Sequence, residues 1–281
     1  MMTPVLSHYQ IAPLLRARRE QKTTAALSLD LNLSQTQALL DAEGFTLPDG
    51  LRVTWRDAEK IARDENACFA INANGIHKIK TFSEFTNRAY SLYPTRSAPT
   101  MLVAGFPMHR IKESDPHRDT LAKITALAPV TGNVLDTATG LGYTAIELAK
   151  TAAHVITIEL DPAAQEIAKQ NPWSRALFDN PKIEQRIGDS FEIVRTFDAN
   201  SFDAILHDPP TMALAGDLYS HEFYRELLRV LKRGAKLFHY IGDPESKLGA
   251  SMTRSVTERL KAVGFARVKP APYAFGVVAW K

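Results

Sequence analysis

The 281-residue chain is 45% apolar and 23% charged, with 34 basic against 31 acidic residues and a net charge of +3. It can bury one large core or two smaller ones, and its charge is too balanced to argue for nucleic acid by bulk electrostatics. The single cysteine, Cys68, excludes an internal disulfide and a multi-cysteine metal site. With no apolar run near the roughly 20 residues that span a bilayer and no signal-peptide core at the start, the expectation is a cytoplasmic chain without a membrane partner.

In chain order, residues 1–26 form a basic amino-terminal segment in which "RARREQK" places Arg16, Arg18, Arg19 and Lys22 on a short helix. Such a run is a solvated helix face or an RNA or phosphate contact. Residues 27–118 mix short strand-like runs ("GLRVTW", "ACFAIN", "TMLVAGF") with turn signals ("LPDG", "NANG") and one helical insert, "RDAEKIARDE". This pattern predicts a small β-rich domain.

From 119 to 281 the rhythm changes. "GNVLDTA", "AHVITIEL", "KIEQRI", "FDAILHD" and "AKLFHYIG" are short β-branched runs, each followed by a helical pattern, at about 142–151, 163–170, 190–196, 218–231 and 250–263. Strands alternating with helices predict an α/β fold, a Rossmann-like doubly wound parallel sheet. "FARVKP" and "YAFGVVAWK" close the chain across a connection short enough for an antiparallel pair.

In such sheets ligands bind beyond the carboxyl ends of the strands, where the strand order reverses. The first tip carries Asp136, then Gly140 and Gly142, whose missing side chains allow a tight turn and a close approach to the backbone. The second carries Glu159, able to accept both hydroxyls of a ribose. The third carries Asp189, placed to accept from an adenine amino group or to cap the helix that follows. "GLGYTA" also satisfies the dinucleotide fingerprint. Against that reading, a carboxylate at 136 repels a pyrophosphate and attracts an ammonium or sulfonium group.

The fourth tip is "HDPPT". Proline disfavours the helical region for the residue before it, so Asp208 and Pro209 should be extended, and neither proline has an N–H. The stretch therefore offers acceptors to a molecule that presents N–H bonds. His207, His239 and His109 could each take a proton near neutral pH, or fill a packing or hydrogen-bonding role. His239 with Asp243 is the preferred substrate-pocket pair, followed by His109 with Arg110. The histidines lack metal-ligand spacing, so no metal is expected. Trp173 in "NPWS" is expected to pack on the sheet or stack on adenine, and the segment from Leu214 could be a lid with Gly216 as hinge and Tyr219 facing the pocket.

Asp136, Gly140, Gly142, Glu159, Asp189 and the "DPP" at 208–210 resemble the motif series of class I S-adenosylmethionine-dependent methyltransferases. With "SLDL", "FPMHRIK", "NPWS" and "LFHYIGDP", residues 27–281 resemble a group of predicted archaeal-type methyltransferases related in fold to the spermidine synthases. The resemblance implies a seven-stranded sheet with an antiparallel last strand and S-adenosylmethionine as cofactor. Asp136 would lie near its amino group, Gly140 and Gly142 beneath the methionine part, Glu159 at the ribose, Asp189 at the adenine, and Asp208 and Pro209 beside the methyl group. Similar D/N-P-P motifs bind planar amino groups of bases or of glutamine, usually with an aromatic residue where this chain has Thr211. The expected activity is methylation of a nitrogen of a small molecule or a nucleobase, with the small molecule preferred, the β-rich domain covering the acceptor side, and RNA contact and homo-oligomerisation left open. The alternatives are an aminopropyltransferase of the spermidine synthase type, although its "GGGDG" loop is absent, and a non-catalytic RNA-binding module.

Overall fold

The computed structural model describes residues 3–212 and 214–281; Met1 and Met2, in the basic segment, and Ala213 lie outside the described residues. The chain divides into two compact units, one formed by the residues up to His117 with Ala163–Arg175, the other by Arg118–Pro162 with Ala176–Lys281.

The first unit is β-rich. Helix His8–Arg19 is closed at its start by a capping box between Ser7 and Gln10, and Arg16, Arg18 and Arg19 sit in its last turn, where they complement the helix dipole. Arg18 pairs with Glu59 at 3.2 Å and lies 4.8 Å from the Trp55 ring centroid. The described residues of this unit also hold helix Trp55–Arg63 and three small antiparallel sheets. Trp55, expected to end a strand, instead opens that helix because the Thr54 hydroxyl caps the Asp57 amide. Trp173, expected on the large sheet, belongs to this unit: its indole Nε1 donates to the Leu31 carbonyl at 3.0 Å.

The second unit holds the seven-stranded sheet. Its strands are β1 (Asn133–Asp136), β2 (His154–Glu159), β3 (Ile183–Ile187), β4 (Phe202–His207), β5 (Leu231–Tyr240), β6 (Arg267–Ala271) and β7 (Gly276–Trp280), in spatial order 3-2-1-4-5-7-6. The first five run parallel, and β7 is antiparallel to both β5 and β6. This is the doubly wound α/β fold with an antiparallel last strand. Its order reverses between β1 and β4, so the tips of those strands flank the crevice that such sheets use for ligands.

Leu135, Ile158, Ile205, Leu237 and Val277 are buried in the sheet. Against them packs α6 (His221–Val230), whose buried Phe223, Tyr224, Leu227 and Val230 recur at helical spacing. Each such side chain contributes on the order of 1.5–3 kcal/mol. The helix expected from 218 begins later, because Ser220 caps the Phe223 amide and Gly216–Tyr219 forms a separate 3-10 turn. Helix α1 (Pro116–Leu127), which leads into β1, was not expected, nor was the short helix Arg175–Asp179.

The two loop glycines after β1 differ. Gly140 (φ +52°) has open space where a Cβ would stand, whereas at Gly142 (φ +76°) a Cβ would come within 2.6 Å of the Leu177 side chain. A side chain at either position costs about 1–2 kcal/mol of left-handed strain, and Gly142 adds overlap worth about 1–3 kcal/mol. Urea denaturation should therefore show a larger stability loss for Gly142→Ala than for Gly140→Ala. Equal losses would contradict the packing account.

Candidate active site

Asp136 ends β1 with no solvent exposure. Its Oδ2 accepts from the hydroxyls of Thr144 (2.9 Å) and Thr157 (3.0 Å). Thr157 has one hydrogen and spends it on Asp136, so Thr139, 2.7 Å away, must donate to Thr157. The other oxygen, Oδ1, is buried and has no hydrogen-bond partner among the described residues. Burial raises the carboxyl to about 7 against the two threonine bonds and a weaker pull from the Ala138 amide, and the nearby Asp208 charge adds to the rise. A half-satisfied buried carboxylate calls for a cation or a donor.

Glu159 ends β2. Its Oε2 accepts from the Gly140 amide at 2.8 Å and its Oε1 from the Asp161 amide at 3.1 Å, so the strand tip holds the glycine loop in place. The residue keeps partial exposure, yet loss of solvent around its carboxyl raises it to about 7 despite those amides. Asp189 caps α5 (Ser190–Arg195) through a 2.8 Å bond from the Phe191 amide, which satisfies the capping role weighed for it and leaves its carboxylate exposed.

Asp208 follows β4, with Pro209 buried beside it. Its Oδ2 lies 2.5 Å from Nζ of Lys123 on α1, and the same ammonium is 2.9 Å from Asp119, one turn earlier on that helix. Lys123 is 1% exposed and sits 4.4 Å from the Tyr240 ring centroid. Neither Lys123 nor Asp119 was picked out from the sequence. The available signal was an acid four residues before a lysine in "DTLAK", a spacing that ordinarily describes a solvated helix pair.

The histidines do not form the expected pocket. His239 has no exposure; its Nδ1 lies 2.7 Å from the Tyr240 carbonyl and must donate there, leaving Nε2 to accept from the Tyr224 hydroxyl at 2.8 Å. Burial pushes it well below the ordinary histidine value. Asp243 is an exposed loop residue whose carboxylate accepts from the Glu245 amide. Both nitrogens of His239 are occupied elsewhere, so the expected pairing with Asp243 is not made.

His207 holds the opposite tautomer, Nε2 donating to the Leu218 carbonyl (3.0 Å) and Nδ1 accepting from Thr137 (2.7 Å), and burial lowers it to about 3. The two rings meet edge to face at 4.3 Å. Tyr219, expected to face an open pocket, is 2% exposed, and its hydroxyl donates to the Pro210 carbonyl at 3.0 Å. Two neutral histidines and two tyrosines thus form a buried cluster of contacting rings that the Tyr219 hydroxyl ties to the Asp-Pro-Pro segment. His109, in the first unit, is bonded to Thr100 at 2.9 Å.

Comparison with known proteins gives a consistent picture. Residues 134–234 match the family model described as a methyltransferase domain. The uncharacterized protein MJ1233 of Methanocaldococcus jannaschii is 44% identical over 261 residues, covering 91% of this chain and 88% of its own length. A release factor glutamine methyltransferase of Cereibacter sphaeroides is 32% identical over 177 residues, 56% of this chain and 62% of that one. A spermidine synthase structure from Thermotoga maritima superposes with a TM-score of 0.57 at 21% identity, covering 71% of this chain and 70% of its own, and so shares the fold.

Proposed function

Since the chain belongs to the class I S-adenosylmethionine-dependent methyltransferase family related in fold to the spermidine synthases, we propose that it methylates a nitrogen of a small molecule, in preference to a nucleobase. The observation that carries this reading is Asp136. It is a buried carboxylate with one oxygen that has no hydrogen-bond partner among the described residues, at the point where the strand order reverses, next to a glycine loop with open space at Gly140. Those residues fit S-adenosylmethionine: Asp136 would take its ammonium, the loop at 140–142 would pass beneath the methionine part, Glu159 would accept the ribose hydroxyls, and Asp189 would meet the adenine while still capping its helix.

When bound, the cofactor supplies an electrophilic methyl group on a sulfonium leaving group. The chain's own contribution is then placement and exclusion of water. Asp208 accepts an N–H of the acceptor, turns the nitrogen lone pair toward the methyl group, and is placed to take the proton that the nitrogen gives up once the N–C bond has formed. Pro209 and Pro210 hold that carboxylate extended, and Tyr219 fixes the segment from below. With His239 and His207 neutral and fully engaged, Asp208 takes over the polar role expected of His239 and Asp243. Thr211, standing where an aromatic would stack on a base, favours the small molecule.

The test compares donors by calorimetry on the purified chain. Both donors carry the ammonium that Asp136 would take and differ only in the carboxylate, so the methyltransferase reading requires that S-adenosylmethionine itself bind. Tight binding of the decarboxylated donor alone would replace this reading with aminopropyl transfer. Steeply salt-dependent RNA affinity with no donor binding would replace it with an RNA-binding module.

A further inference from the structure

Lysine is almost never fully buried unless it is paired, and removing its ammonium from water costs several kcal/mol. Lys123 is buried between two carboxylates, Asp119 at 2.9 Å and Asp208 at 2.5 Å, with the Tyr240 ring 4.4 Å away. A structural role requires one carboxylate, and Asp119, fully buried one helical turn back, already supplies it. The second partner is the residue that begins the Asp-Pro-Pro segment, 85 positions away in sequence.

The surroundings give the arrangement a chemical purpose. Lys123 stands between Asp208 and Asp119 with the Tyr240 ring beside it, and Asp208 interacts electrostatically with Asp136 from β1 and Tyr219 from the 3-10 turn. Carboxylates this close, without a cation, push one of their number to take up a proton. A protonated Asp208 would become an O–H donor and compete for the nitrogen lone pair that must attack. An ionised one is an acceptor only. It has about four lone-pair positions, and the bond to Lys123 uses one of them.

We propose that Lys123 is a positioning residue of the transfer site: anchored by Asp119 and the Tyr240 ring, it holds Asp208 as an oriented, ionised carboxylate that accepts an N–H of the methyl acceptor. This rests on the methyltransferase reading for its purpose, and on the Asp119–Lys123–Asp208 geometry for its physics. It defines the acceptor as a nitrogen that still carries a hydrogen when it binds.

The test follows the Asp208 carboxyl carbon by nuclear magnetic resonance in the full chain labelled at its aspartates, with Asp208→Asn used to assign the signal. In Lys123→Met the titration midpoint of Asp208 should rise by about one pH unit or more, while Lys123→Arg, which keeps the cation, should stay near the parent value. Should Lys123→Met not fold, the double variant Asp119→Asn/Lys123→Met removes one charge of each sign and should show a rise in the same direction, smaller because the Asp119 charge is gone as well. An unchanged midpoint in the folded methionine variants overturns the proposal, and an arginine variant that titrates like the methionine one overturns charge as the operative property. S-adenosylhomocysteine binding on the same samples separates the two readings. Donor binding without the shift sinks the role of Lys123 alone; the shift without donor binding sinks methyl transfer and leaves the hold on Asp208 standing.

Discussion

Replacing Asp208 by alanine is expected to slow methyl transfer by about 10²–10³-fold, the usual cost of losing one oriented polar group at a reacting centre. The fold should survive, because Lys123 keeps Asp119 as its partner and the remaining pair is neutral. Donor affinity should change by less than about tenfold, since Asp136, the glycine loop and Glu159 are untouched. The measurement is transfer of labelled methyl from S-adenosylmethionine into extracts of cells lacking the protein, alongside calorimetry of donor binding. Parent-level transfer by Asp208→Ala would remove the Asp-Pro-Pro segment from the mechanism.

The second large effect concerns Asp136 and pH. Its carboxyl is raised to about 7 from an ordinary value of 3.8, so between those values the native chain without donor holds a proton that the unfolded chain has lost. Two consequences have defined signs. The ligand-free protein should lose stability as pH rises from about 4 through 7, with a slope of up to about 1.4 kcal/mol per pH unit from this group. Donor binding should move the opposite way: an ammonium on Asp136 favours the ionised form, so affinity should climb as pH rises toward 7 and then level off.

Asp136→Asn should abolish that part of the pH dependence and weaken donor binding by roughly tenfold to a hundredfold, as expected for a charge-assisted hydrogen bond of about 1.5–3 kcal/mol. Glu159 is raised to about 7 as well, so a shallower dependence should persist in the variant. Calorimetry from acid to mild alkali, in buffers of different ionisation enthalpy to count released protons, reads both effects. A donor affinity that is flat with pH in the parent protein would contradict the assignment.

The sequence carried the doubly wound sheet, because burial periodicity is local. Five β-branched runs each followed by a helical pattern are visible within windows of a few residues, and the short connection between β6 and β7 demanded an antiparallel pair. It also carried the acidic tips, since a strand's last residue is found by reading the strand to its end. Asp136, Glu159, Asp189 and Asp208 all stand at or just past the ends of β1 to β4.

The roles of the polar side chains between those tips were decided only by the tertiary structure. His239 reads in sequence either as a base or as a packed, hydrogen-bonded ring, and the structure decides for the second: β5 lies inside the sheet and α6 lays Tyr224 against it, so both ring nitrogens are consumed. Lys123 looks like half of a solvated pair until the chain returns with Asp208. Whether a titratable group is buried, and which charge meets it there, depends on segments distant along the chain, and electrostatic interactions grow several-fold as water is excluded. Residue type and spacing therefore located the site, and the packing of remote segments determined which of its groups are charged, which are neutral and which are already spoken for.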